Sequence, residues 1–240
     1  MPESLLTAIG HQIYLVDAKY ISDDIAAIYL LRQGDQIAII ETGTSLSAPS
    51  VLEAISELGY SADNVAYVIP THVHLDHAGG AGELMSHCQN AKLVVHPFGA
   101  NHLINPEKLV AGTRAVSGDE SFKRFYGVFK PVDASRVIEA PDGFDLDFAG
   151  RRLLFLDTPG HARHHFCVYD ETSRGIFTGD TFGISYPQLA TEQGPFILAT
   201  TTPVQFDPDA MHSSLDRLLE LQPKQVYLTH YGAVDVTPEL

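Results

Sequence analysis

The sequence predicts a layered α/β fold, and three observations carry that prediction. Short apolar runs rich in β-branched and aromatic residues recur along the chain at strand lengths. Helical patterns with clear start signals fall between them in both halves. No internal repeat, low-complexity tract or Pro/Gly/Ser-rich linker breaks the alternation, so residues 1–240 read as one domain.

The elements follow in order. Ile13–Val16, Ile25–Leu31 and Gln36–Ile40 read as strands, with a hairpin-like turn at Gln33-Gly34-Asp35. A helix is expected after Ser47: Pro49 lies in its first turn, where a missing N–H does no harm, and Val51, Leu52, Ile55 and Leu58 share a face before Gly59 stops it. Val65–Ile69 and Lys92–Val95 are further strands. About forty residues of mixed character then separate Lys92–Val95 from the next strand near Arg136, longer than an ordinary connection. Within this excursion, at about 98–130, Phe98–Val110 and Ser121–Phe129 look helical. Arg152–Asp157, Phe166–Tyr169, Gly175–Thr178 and Gln225–Leu228 are the strands of the second half. Its helix is capped by Asp207, with Pro208 behind it and Met211, Leu215, Leu218 and Leu219 on one stripe.

Composition narrows the partners. Lys and Arg number 15 against 30 Asp and Glu, a net charge of −15. A surface that acidic repels phosphate backbones and anionic lipid heads, so neither nucleic acid nor membrane is an expected partner. The two cysteines, Cys88 and Cys167, form no CxxC pair and no disulfide framework. No apolar run reaches the roughly 18 residues that span a bilayer, and Met-Pro-Glu-Ser-Leu-Leu does not resemble a signal peptide. A cytoplasmic protein with a small-molecule substrate is the expectation, with a homo-oligomer allowed. The outlying number is 12 histidines beside no Trp.

Five of those histidines fall at strand ends. After Val65–Ile69 comes Thr71-His72-Val73-His74-Leu75-Asp76-His77-Ala78-Gly79-Gly80. At this chain's own His and Asp frequencies, His-x-His-x-Asp-His is expected by chance only about 0.002 times. Residues two apart on an extended segment point the same way, so His72 and His74 can face one metal ion. Asp76 and His77 turn to a second ion if a helix begins at the glycines. Three more strands run into Thr158-Pro159-Gly160-His161, Gly179-Asp180-Thr181 and Thr229-His230-Tyr231-Gly232. Each alone reads as a turn residue. Together, four strand ends deliver imidazoles and carboxylates of a kind that suits zinc, and also iron or manganese.

These residues resemble the metallo-β-lactamase superfamily over nearly the whole chain. The resemblance implies an αββα sandwich, two mixed β-sheets flanked by helices, with a metal site at one edge between the sheets. It implies two divalent ions, zinc first with iron or manganese as alternatives. His72, His74 and His161 would hold one ion, Asp76, His77 and His230 the other, and Asp180 would bridge. Glu41-Thr42-Gly43 stands where the family usually has Asp-Thr-Gly, a departure that bears on support of the metal loop rather than on occupancy.

Within the superfamily, Asp180 stands where some β-lactamases have a Cys ligand, and −15 argues against tRNA-processing nucleases. Gly183 stands where many lactonases have Tyr, leaving Tyr186 as a substitute. Gly179-Asp180-Thr181-Phe182 and Thr158-Pro159-Gly160-His161 look closest to glyoxalase II-like hydrolases, without their C-terminal helical domain. The implied function is hydrolysis of a small ester, thioester or lactone by water activated between the ions, with Asp76 and Asp180 as catalytic residues. The alternative is an iron-dependent oxidoreductase of the same fold, persulfide dioxygenase-like or diiron.

The remaining groups carry weaker expectations. His164, His165 and Arg163 are candidates for the pocket, with an ordinary structural role equally open, whereas His11, His87, His96 and His212 read as ordinary residues. The excursion is expected either to roof the site, with Phe98 in the roof and Phe182, Tyr186 and Phe196 opposite, or to form a subunit contact.

Overall fold

The computed structural model describes residues 4–192, 194–201 and 203–237. Seven strands form the first sheet in chain order: β1 (Leu6–Gly10), β2 (Ile13–Asp17), β3 (Ala27–Gln33), β4 (Gln36–Ile40), β5 (Val65–Ile69), β6 (Lys92–Val95) and β7 (Val137–Glu139). β1 to β4 run as an antiparallel meander, and β4 to β7 pair in parallel. The second sheet contains β8 (Asp145–Phe148), β9 (Arg151–Asp157), β10 (Phe166–Asp170), β11 (Gly175–Gly179), β14 (Gln225–Leu228) and β15 (Gly232–Asp235), in the order β15-β14-β11-β10-β9-β8. Only β11 and β14 pair in parallel there. A small ribbon joins β12 (Ile184–Ser185) to β13 (Ile197–Leu198).

Side-chain alternation explains the layering. Along β3, Ala27, Tyr29 and Leu31 enter a core shared with Phe148, Phe155, Phe166 and Phe177 of the second sheet. Ile28 and Leu30 point the other way, among Val51, Ile55, Leu84 and Leu103 of the covering helices. That period of two, apolar on both faces, is what a strand buried between two layers requires. The outer helices are α1 (Ala48–Glu57), α3 (Ala81–His87) and α4 (Pro97–Ile104) on the first sheet and α7 (Pro208–Glu220) on the second. The arrangement is the αββα sandwich that the resemblance implies. Cys88 and Cys167 are buried and unpaired, and among the described residues no helix is long and apolar enough to cross a membrane.

Three expectations change. The excursion holds three helices, α4, α5 (Glu107–Ser117) and α6 (Asp119–Tyr126), not two. Pro106 ends the segment expected to run to Val110, because a Pro is tolerated at a helix start and not within. A short helix α2 (Leu75–Ala78) begins before Asp76 rather than at the glycines. On α7 the buried stripe is Met211, Ser214 and Leu218, while Leu219 is exposed.

Candidate metal centre

All seven residues singled out from the sequence meet at one edge of the sandwich. The loop after β5 brings His72 and His74, α2 carries Asp76 and His77, and the loops after β9, β11 and β14 bring His161, Asp180 and His230. Their donor atoms form two groups. In the first, His74 Nδ1 lies 2.8 Å from His72 Nε2 and 3.1 Å from His161 Nε2. In the second, His230 Nε2 lies 3.3 Å from His77 Nε2 and 3.5 Å from Asp76 Oδ2. Asp180 stands between them, with Oδ2 3.3 Å from His161 Nε2 and Oδ1 3.3 Å from His77 Nε2.

A surrounding set of hydrogen bonds aims the rings. Glu41, itself buried, gathers three loops: Thr71 N and Oγ1 donate to its two oxygens at 3.1 and 2.5 Å, and Thr229 Oγ1 donates at 2.8 Å. His77 Nδ1 donates to Glu41 Oε1 at 3.0 Å, which turns His77 Nε2 into the cluster. Because the Thr71 hydroxyl proton is committed to Glu41, its oxygen accepts from His72 Nδ1 at 3.1 Å, and His72 Nε2 faces inward as a lone pair. His230 Nδ1 donates to the Ile25 carbonyl at 2.7 Å with the same result. The longer Glu in place of Asp thus supports the metal loop.

His165 is a positioning residue. Its Nε2 accepts from Asp180 N at 3.1 Å, so its proton sits on Nδ1 and is donated to Thr158 Oγ1 at 2.8 Å. The ring lies so close to the Asp180 loop that a Cβ on Gly179 would come within 2.4 Å of His165 Nε2, and Gly179 has φ +50°. Glycine meets both demands. His164 instead lines the cleft in front of the cluster, and His102, which carried no expectation, lies beside it with ring centroids 6.1 Å apart. Arg163 is exposed and borders a separate groove.

Electrostatics divides the histidines. Burial pushes His72 far below the ordinary imidazole value, lowers His74, and brings His161 down to about 4, with the neighbouring imidazoles adding to the shift at each. Neutral imidazole is the form that binds metal. Burial acts the same way on His77 and His230, but Asp180 overcomes it and raises both, helped by Glu41 and Asp76 at His77 and by Asp76 at His230. Asp76 and Asp180 are held below the carboxylate range against burial, chiefly by His77 and then His230. Among the described residues, His161 Nδ1 and Asp180 Oδ1 are buried without a hydrogen-bond partner.

The cleft in front of this cluster has a volume of about 730 Å³. α5 contributes Leu109, Gly112 and Val116 to its lining, and Val204 lines it as well. The aromatic wall expected from the sequence is not there. Phe98 is 70% exposed and outside the lining, Phe182 packs beside Val226 and Leu228, and Tyr186 and Phe196 do not line the cleft. The phenol on the cleft is Tyr126, held by Tyr20 at 3.0 Å.

Comparison with known proteins agrees with this architecture. The model of the metallo-beta-lactamase superfamily matches residues 21–230. The metallo-beta-lactamase fold-containing protein ST1585 of Sulfurisphaera tokodaii is 31% identical over 88% of this chain and 74% of its own. Its crystal structure superposes with a TM-score of 0.74, covering 94% of this chain and 82% of that one at 30% identity. The acyl-coenzyme A thioesterase MBLAC2 of Bos taurus is 29% identical, over 72% of this chain and 64% of its own. A hydroxyacylglutathione hydrolase from Synechococcus is also 29% identical, over 85% of this chain and 62% of its own. The chain spans less than two-thirds of the length of those last two relatives. With its sandwich, its strand-end cluster and this match over most of its length, the chain belongs to the metallo-beta-lactamase superfamily.

Proposed function

We propose that this chain is a binuclear metal-dependent hydrolase acting on a small ester, thioester or lactone. One observation carries the reading. Asp180 turns one carboxylate oxygen to each histidine group, at 3.3 Å in both cases, as a residue shared by two cations would. In this reading His72, His74 and His161 hold one ion, Asp76, His77 and His230 the other, and Asp180 both.

The side chains fit such ions on physical grounds. His74 Nδ1 is within hydrogen-bond distance of both His72 Nε2 and His161 Nε2, and a single N–H serves only one of them well. Asp180 Oδ1 is buried and unpartnered, at a cost of about 1–3 kcal/mol for such a group. Cations would satisfy these convergent lone pairs, and imidazole with carboxylate suits zinc before iron or manganese. The chemistry such ions supply is a water of lowered pKa and a polarised acyl carbonyl.

The chain's own groups do the rest. Asp76 and Asp180, held ionised by His77 and His230, would offset the charge of the two cations, and Asp76 would accept a proton from the attacking water. Both line the cleft, and Asp76, with its side chain 23% exposed, is the more open of the two. Glu41 and His165 hold the ring of His77 and the backbone of Asp180 in place. Relatives named for acyl-coenzyme A and hydroxyacylglutathione hydrolysis support a thioester within the substrate class.

The test is elemental analysis of protein purified without added metal, combined with thioester and lactone assays before and after chelation. Hydrolysis should disappear with the metal and return with zinc. Hydrolysis insensitive to chelation would contradict the proposal. A single iron with a visible absorption band and no hydrolysis would favour the oxidoreductase instead.

A further inference from the structure

α5 buries none of its residues, although it carries Leu109, Val110 and Val116. Leu109, Gly112, Thr113 and Val116 fall at spacings of three, four and seven, which places them on one face, and all four line the cleft. Val116 is 91% exposed, and Val204, which lines the same cleft, is fully exposed. These exposed apolar side chains line the same cleft as His74, Asp76, His161 and Asp180.

Gly112 is the informative residue. Glycine within a helix is disfavoured relative to alanine, so its presence calls for a reason. Backbone geometry supplies none, since its φ is not positive. Packing supplies none either, because a Cβ added there meets nothing within 4 Å. What the missing side chain does is leave the cleft open between Leu109 and Val116, over about 10 Å of helix.

We propose that this face of α5 is the acyl-binding wall, that it takes an unbranched apolar acyl chain, and that Gly112 sets the chain length accepted. The proposal rests on the hydrolase reading above and names its substrate class: esters or thioesters of medium to long fatty acids. The carbonyl carbon lies at the cluster of His74, His161, Asp76 and Asp180, and the chain runs past Val73 along Leu109, Gly112 and Val116 and against Val204. The polar part of the substrate has its own place. The adjoining groove beyond Val204 and Gln205 is lined by Arg163, Gln205 and Asp207.

The variant is Gly112→Leu, which fills the gap while improving helix propensity. Two measurements are made: kcat/KM for acetyl, hexanoyl and dodecanoyl thioesters of one thiol, and calorimetric binding of sodium decanoate. The ratio of dodecanoyl to acetyl kcat/KM should fall at least about tenfold, as blocking a few methylene sites predicts, and decanoate binding should weaken in parallel. A thermal midpoint no lower than wild type separates this result from misfolding. If the protein cleaves these thioesters but the ratio and decanoate binding stay unchanged, the wall assignment is wrong and the hydrolase reading stands. If no thioester, ester or lactone is cleaved, the hydrolase reading fails, and decanoate binding that Gly112→Leu leaves untouched overturns the wall as well. An unchanged ratio with an oligomer that Gly112→Leu dissociates would give this face to a second copy of the chain and overturn the proposal.

Discussion

The imidazoles around the cluster titrate according to what each one faces. His72, His74 and His165 are lowered by burial, His161 is brought to about 4 and His164 to about 3, whereas carboxylates raise His77 and His230. An imidazole whose pKa is lowered by folding takes its proton more readily in the unfolded chain. Its contribution is therefore complete above the unfolded value near 6.5 and is lost as pH falls towards the folded value. The raised pair acts oppositely, stabilising below that value and losing its effect as pH rises. On the acid side the lowered groups decide the sign. Chelated, metal-free protein should lose about 1–3 kcal/mol between about pH 7 and about pH 5, read from urea midpoints at each pH. A midpoint that holds or rises on acidification would contradict the assignment of neutral, buried rings. The strand-end histidines were legible because their spacing is improbable by chance. Which of His164 and His165 supports the loop was not, since adjacent residues differ only in the side of the backbone they leave.

At the scale of elements, the site depends on how helices seat the loops that carry it. The Asp207 side chain accepts from Asp209 N and Ala210 N at the start of α7, and Asp207 N donates to the Gly160 carbonyl at 2.8 Å, beside His161. Gly160 has φ +129°, and a Cβ there would lie 2.5 Å from Met211 N and Cα. Gly160→Ala should push α7 off the loop and shift His161, costing about 1–3 kcal/mol and lowering metal content together. Stability and metal content equal to wild type would show that the loop is seated otherwise. The cap of α7 and the long apolar strands could be read directly from the sequence. β1, β8 and β15 could not, because half-exposed strands near the sheet edges lack the continuous apolar run that marks a buried one. The cleft wall was misread for a related reason. Periodicity identifies Phe98 and Phe182 as apolar but not which neighbour covers them, and Phe182 is taken by the second sheet's outer cluster.

For the molecule as a whole, the two sheets act as one frame with a shared core of Tyr29, Phe155, Phe166, Phe177 and Tyr227. That core brings the ends of β5, from one sheet, against the ends of β9, β11 and β14, from the other. Tyr29 ties the layers by donating to the Leu228 carbonyl at 2.5 Å, two residues before His230. A layered α/β fold was readable from the alternation of strands and helices, whereas the αββα order came only with the resemblance; the meeting of the two sheets at Asp180 follows from long-range packing that no local pattern encodes. The proposal that both cations share this carboxylate is therefore the claim on which the account stands. It is tested by measuring metal per chain and thioester kcat/KM in wild type and Asp180→Ala, with circular dichroism to verify the fold. Wild type should hold about two ions per chain. The folded variant should lose at least one ion, with kcat/KM down by at least about a hundredfold. Asp180→Ala protein that keeps two tightly held ions and full activity would contradict the proposal.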